Sequence, residues 1–154
     1  MQFTPRKLNL FLAFKLPSAF LCGVRTTAIN EKECVATVRH RWISQNPFQS
    51  MYFAVQAMAA ELTTGALVML QIKKSGQSIS MLVLNNKATY TKKATGKITF
   101  TCDQGDQIEQ AIVRTIATGE GQTIWLQSTG RDEKDDVVSV MDFEWTLKLK
   151  SKKS

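Results

Sequence analysis

A single carboxylate stands in the middle of the most apolar stretch of the chain. Residues 42–72 read WISQNPFQSMYFAVQAMAAELTTGALVMLQI, and Glu61 is the only charged side chain between Arg41 and Lys73. From Phe53 to Leu70 apolar residues fall on nearly every side of a helical projection. That pattern belongs to a buried helix, not a surface one. A carboxylate there must accept hydrogen bonds, keep its proton, or serve a reaction. Apolar neighbours raise its proton affinity, which suits a base better than a permanent anion. The plain alternative is a core helix whose glutamate points into a solvent gap.

The other groups able to do chemistry are sparse. His40 is the only histidine and lies between Arg39 and Arg41 at the end of a strand pattern. No cysteine or second histidine is near it in sequence, so a solvated strand end is expected and a metal role is not. Cys22, Cys34 and Cys102 are odd in number, far apart along the chain and set in apolar contexts without metal-ligand spacing. They are expected to be reduced, buried thiols of a cytoplasmic protein.

The elements that hold these groups follow from the order of patterns. The 154 residues suffice for one domain, 1–154, with an N-terminal helical segment (1–22) and a basic tail (148–154). Thr4–Pro5 starts a helix by capping threonine and first-turn proline, and Pro17 breaks it or begins a second. Arg6 and Lys7 before an apolar run resemble a signal sequence ending at Cys22. Lys15, Pro17 and the large Leu21 argue against that reading. Val24–Ile29 and Cys34–Arg39 read as a hairpin. The central helix, Ser50–Leu70, starts at one of two caps: Asn46 with Pro47 following, or Ser50. Ile79–Thr91 is apolar on both faces at its start, as a central strand would be. Lys97–Cys102 is a strand, and Asp106 with Glu109 caps a short amphipathic helix ending at Gly119. Thr123–Thr129 is a strand. In the last one, Met141, Phe143, Trp145, Leu147 and Leu149 alternate with polar residues, giving one core face and one wet face. Short turns between successive strands favour an antiparallel sheet, and the apolar helix must pack on it, which is α+β architecture.

Composition excludes little. Apolar content of 44% and charged content of 21% are ordinary for a globular chain. The net charge of +7 owes much to Lys148, Lys150, Lys152 and Lys153. No helix–turn–helix, zinc or RNA-binding pattern accompanies it, so no nucleic-acid partner is expected. Gln56, Glu61, Thr63 and Thr64 interrupt the apolar helix, so no membrane span is expected either.

An order of helix, two strands, long buried helix, two strands, short helix and two strands resembles the hotdog fold. From about Pro17 onward the chain is similar to the thioesterase superfamily of that fold. It is closest to the phenylacetyl-CoA-thioesterase type and an uncharacterised bacterial branch. Asn46 matches the loop asparagine of those enzymes, and Glu61 matches their acid about two turns into the helix. Where they carry His-Gly-Gly, this chain has Met51, Tyr52, Phe53 and Ala54. The resemblance implies five or six antiparallel strands around the helix, and a homodimer or dimer of dimers with a site between subunits. It implies hydrolysis of an acyl-CoA, with no cofactor beyond the coenzyme A of the substrate. Glu61 and Asn46 would be catalytic. Ser50, Met51, Tyr52, Phe53 and Met58 would line the substrate site, with Lys92 and Lys93 near the coenzyme phosphates. A non-catalytic protein that binds an acyl chain or a protein partner is the alternative. A dehydratase would need a histidine at the site, and only His40 is available.

Overall fold

The computed structural model describes residues 3–151. Lys152 and Lys153 of the basic tail lie outside them. Thr4 caps helix α1 (Pro5–Lys15) by accepting the Lys7 N–H at 3.3 Å, and Pro5 occupies its first position. Pro17 opens a second short helix, α2 (Pro17–Leu21), so the apolar N-terminal run is folded structure, with Leu8, Leu12 and Ala19 buried. Strands β1 (Arg25–Ile29) and β2 (Cys34–Arg39) form the expected hairpin. Asn30 Oδ1 closes its turn by accepting the N–H groups of Lys32 and Glu33 at 2.8 and 3.0 Å.

After a short 3-10 turn at Trp42–Ser44 comes the 23-residue helix α3 (Phe53–Ser75). It is followed by β3 (Ile79–Tyr90), β4 (Lys97–Cys102), α4 (Gly105–Thr118), β5 (Gln122–Arg131) and β6 (Val137–Leu149). Every strand pairing is antiparallel, in the order β1-β2-β4-β5-β6-β3. A long buried helix wrapped by a six-stranded antiparallel sheet is the hotdog architecture.

By length and composition α3 is apolar enough to cross a membrane, yet most of its residues from Val55 to Gln71 are buried within this fold. An apolar helix alone would have little to fix its rotation against the sheet. Four polar contacts fix it. Ser139 Oγ donates to Gln56 Oε1 (2.9 Å), and the Thr63 and Ser128 hydroxyls lie 2.8 Å apart. Trp145 Nε1 donates to Thr64 Oγ1 (3.0 Å), and Gln71 Nε2 donates to the Glu31 carbonyl (2.7 Å). Each satisfies groups that would be costly to bury alone.

The two edges of the sheet differ. On β1, the Asn9 amide from α1 donates to the Thr26 carbonyl (3.0 Å) and accepts from the Thr26 N–H (2.8 Å). A side chain thus occupies backbone groups a further strand would need. The other edge, β3, is twelve residues long and largely exposed, with Leu82 at 66% and Leu84 at 52% of full accessibility.

Several expectations are corrected. The strand Ile79–Thr91 is an edge strand, not a central one, and its second apolar face meets solvent in the single chain. Helix α4 starts at Gly105 after Gln104, with no side-chain cap, rather than at an Asp106–Glu109 pair. His40 is half-buried, and its Nε2 is enclosed without a hydrogen-bond partner among the described residues, so it is not a solvated strand end. The β2–β4 register places Cys34 opposite Cys102, a proximity invisible in the sequence, and both are free thiols.

Candidate functional site

The sharpest departure from the sequence reading is at the start of α3. Neither Asn46 nor Ser50 caps it. The helix begins at Phe53 behind Tyr52, whose φ of −60° and ψ of 134° are extended and whose side chain makes no cap. Asn46 instead closes the preceding loop on itself. Its Oδ1 accepts from the N–H groups of Phe48 (2.9 Å) and Ser50 (3.2 Å), and its Nδ2 donates to Ser50 Oγ (3.1 Å). The loop is tied to its surroundings through the Met51 N–H to the Ala94 carbonyl (2.8 Å) and the Tyr52 N–H to the Ser44 carbonyl (2.8 Å).

A helix start leaves four N–H groups without helical partners. Here that of Tyr52 donates to the Ser44 carbonyl (2.8 Å) and that of Val55 to the Tyr52 carbonyl (3.0 Å), which also accepts the first helical bond, from Gln56 (3.4 Å). Those of Phe53 and Ala54 have no partner among the described residues. They stand at the positive end of the helix dipole, where negative charge is stabilised. This end borders a cleft of about 630 Å³ lined by Asn46, Phe48, Ser50, Met51, Tyr52, Phe53, Gln56, Tyr90 and the segment Thr91–Ala94. One wall is aromatic: Tyr52 meets Phe53 edge-on with centroids 4.9 Å apart, and Phe53 meets Tyr90 at 6.3 Å.

Of the residues singled out from sequence, Asn46, Ser50, Met51, Tyr52, Phe53, Lys92 and Lys93 come together at this cleft. The two lysines differ in availability. Lys92 Nζ is held between Asp132 (2.6 Å) and Asp136 (2.7 Å), and hydrogen bonding to Lys92 holds Asp132 below the usual carboxylate range. Lys93 Nζ donates only to the Phe48 carbonyl, at 3.2 Å, among the described residues, and so remains a free cation at the rim. Met58 is half-buried against the core and does not line the cleft.

Glu61 is elsewhere. It lines a separate small apolar cavity of about 70 Å³ with Leu8, Phe11, Leu16, Met69, Met81 and Trp145. Gly65 makes the room: a Cβ there would lie 3.2 Å from the Trp145 ring and 3.3 Å from Glu61 Oε1. The carboxylate is half-buried and has no ion pair or side-chain hydrogen bond among the described residues. Desolvation pushes its pKa up. It lies eight positions after Phe53, about 12 Å along the axis. One chain therefore does not bring Glu61 to its own helix start.

Gln56 was missed by the sequence reading, which treated it only as an interruption of an apolar run. It lines the cleft, is 4% exposed, and is anchored by Ser139. The available signal was of the same kind as for Glu61, a polar side chain among the apolar residues of a buried helix. Among the described residues no group of three His, Cys, Asp or Glu side chains could hold a metal ion.

Comparison with known proteins places this geometry. Residues 5–147 match the family described as a domain of unknown function, DUF4442. The chain belongs to the DUF4442 family. A search of curated proteins finds no match to this DUF4442 chain. Among solved structures, it is similar to a Pseudomonas aeruginosa protein of unknown function described as a probable thioesterase. That likeness has 19% identity and a TM-score of 0.79, covering 96% of this chain and 97% of the other. A Chlorobaculum tepidum TLS protein of unknown function has 15% identity and a TM-score of 0.80, covering 96% and 94%. A thioesterase from Haemophilus influenzae has 16% identity and a TM-score of 0.74, covering 97% and 93%. These likenesses show that the DUF4442 chain has the hotdog fold.

Proposed function

We propose that the protein is an acyl-CoA thioesterase whose site is completed by a second copy of the chain. The observation that carries this reading is the pair of unpartnered N–H groups, Phe53 and Ala54, at a helix start that borders an aromatic-walled cleft. Donors fixed in that way stabilise the oxyanion of acyl transfer. The thioester carbonyl oxygen sits at these N–H groups, the acyl group lies against Tyr52, Phe53 and Tyr90, and Lys93 faces the coenzyme phosphates. The partner's helix supplies the carboxylate, since 12 Å or so separates Glu61 from its own helix start. Deprotonated Glu61 removes a proton from water, whose oxygen attacks the carbonyl carbon. Collapse of the tetrahedral oxyanion breaks the C–S bond, and the proton passes from Glu61 to the departing thiolate. In the nucleophilic form of the same reaction the carboxylate attacks the carbonyl carbon, the thiolate leaves, and water hydrolyses the resulting anhydride. The open β3 edge is the surface through which two sheets join, burying Leu82 and Leu84. The three thiols are consistent with a reducing compartment.

A second reading keeps the fold and drops the chemistry: a binder of acyl chains or a protein partner. Tyr52 and Phe53 support it, because they stand where an open helix start would have small residues. Thiol release from short, long and aromatic acyl-CoAs separates the two. Wild type is expected to hydrolyse at least one class, and Glu61→Gln to lose on the order of a hundredfold or more while keeping fold and assembly. Wild-type protein inert on all three classes decides for the binder.

A further inference from the structure

The Gln56 amide stands at the cleft with one half tied down and the other free. Its Oε1 accepts from Ser139 Oγ at 2.9 Å, and Ser139 is fully buried on β6, opposite both Gly130 and Tyr90. Gly130 leaves the space for that arrangement, since a Cβ there would lie 3.0 Å from Ser139 Oγ and 2.9 Å from Phe100 Cζ. With Oε1 fixed, Nε2 is the remaining polar atom. It has no protein hydrogen-bond partner among the described residues and is not itself enclosed, so on a side chain only 4% exposed it is open to the cleft that the side chain lines. Helical side chains lean toward the N-terminus, so a residue one turn in, with a long side chain, is directed at the first turn where the Phe53 and Ala54 N–H groups stand. A donor whose amide oxygen is held in this way, and which is itself open to a cleft, is placed to meet an acceptor there.

We propose that Gln56 Nε2 donates to the substrate's acyl carbonyl oxygen, as a third donor beside the Phe53 and Ala54 N–H groups, with Ser139 as its positioning residue. This inference rests on the thioesterase reading for the identity of the carbonyl. It also accounts for a helix start without glycine: a side chain supplies part of what close approach to the backbone would otherwise supply.

The test uses the full-length protein and two inert analogues of a hydrolysed acyl-CoA, a ketone with CH2 in place of sulfur and a thioether lacking the carbonyl. Wild type is expected to bind the ketone more tightly, and Gln56→Met to abolish that preference. The same variant is expected to lower kcat about a hundredfold with KM little changed, the loss typical of one oxyanion donor. Ser139→Ala should weaken both effects without removing them. If Gln56→Met fails to fold because the Ser139 hydroxyl is orphaned, Gln56→Met with Ser139→Ala removes both partners together. Hydrolysis and ketone preference retained in the Met variants overturn the inference and leave the thioesterase reading standing. No hydrolysis by wild type, with a ketone preference that depends on Gln56, supports the inference and removes the enzyme reading. Neither analogue binding overturns both.

Discussion

A complementation experiment tests the shared site, and its expected yield follows from the geometry. Phe53 and Glu61 lie about 12 Å apart on one helix, so an active site that uses both must draw them from different chains. Two variants each damage one half. Glu61→Gln removes the base. Phe53→Pro removes the Phe53 N–H while leaving the helix intact, because proline is favoured at the first helical position. Its neighbour Tyr52, at φ −60° and ψ 134°, already holds the conformation a residue before proline prefers. Each homodimer is expected to be nearly inactive. When the two variants are denatured and refolded together at equal concentration, about half the dimers contain one of each chain. In such a dimer one site combines the intact Glu61 of one chain with the intact helix start of the other, and the second site carries both lesions. Total activity should therefore recover to about a quarter of the wild-type rate. Thiol release from the best acyl-CoA substrate measures it. No recovery above the sum of the two variants, in a mixture shown to have exchanged subunits, refutes the shared site.

Other measurements address stability, thiols and assembly. Desolvation raises Glu61 above its ordinary value of 4.5, so the native state holds a proton that the unfolded chain releases. The stability associated with that proton is complete below pH 4.5 and is lost as pH rises through the folded pKa. Urea denaturation should find Glu61→Gln more stable than wild type near pH 8, with the gap closing toward pH 4. Each tenfold separation of the two acid constants contributes about 1.4 kcal/mol, and a pH-independent gap refutes the assignment. Burial pushes the Cys34 thiol to about 12 and Cys102 to about 11. Neither should react with iodoacetamide at pH 8 in the native state, and mass spectrometry of protein made without reductant should show no intramolecular disulfide. Sedimentation should find a dimer at micromolar concentration and a monomer for Leu84→Lys on the β3 edge, with a wild-type monomer counting against both interface and shared site.

The order of elements, the burial of α3 and the alternation of β6 were legible because each is a local periodicity. The start of α3 was not. Asparagine and serine cap helices with the same hydrogen bonds by which they close loops, and here Asn46 spent its side chain on Phe48 and Ser50. The status of β3 was hidden for a related reason. A strand apolar on both faces reads as central, and here one of its faces is left to whatever covers the edge. The separation of Glu61 from the cleft is simple arithmetic on helix rise, yet sequence spacing does not say which chain a neighbour belongs to. Gln56 was passed over because only the sheet reveals what holds it, and Ser139 lies 83 positions away.

The Asn9 clamp on Thr26 has a consequence for how copies of this chain can add to one another. In the language of polymer chemistry, a sheet with two open edges is a bifunctional monomer, and edge-to-edge addition of such units has no natural end. With Asn9 occupying β1, the chain is monofunctional. On the shared-site proposal its open edge, β3, would be consumed when two copies meet, and edge-to-edge growth would end at a pair. One amide on α1 thereby opposes addition at the β1 edge, and its loss would open a second growing end.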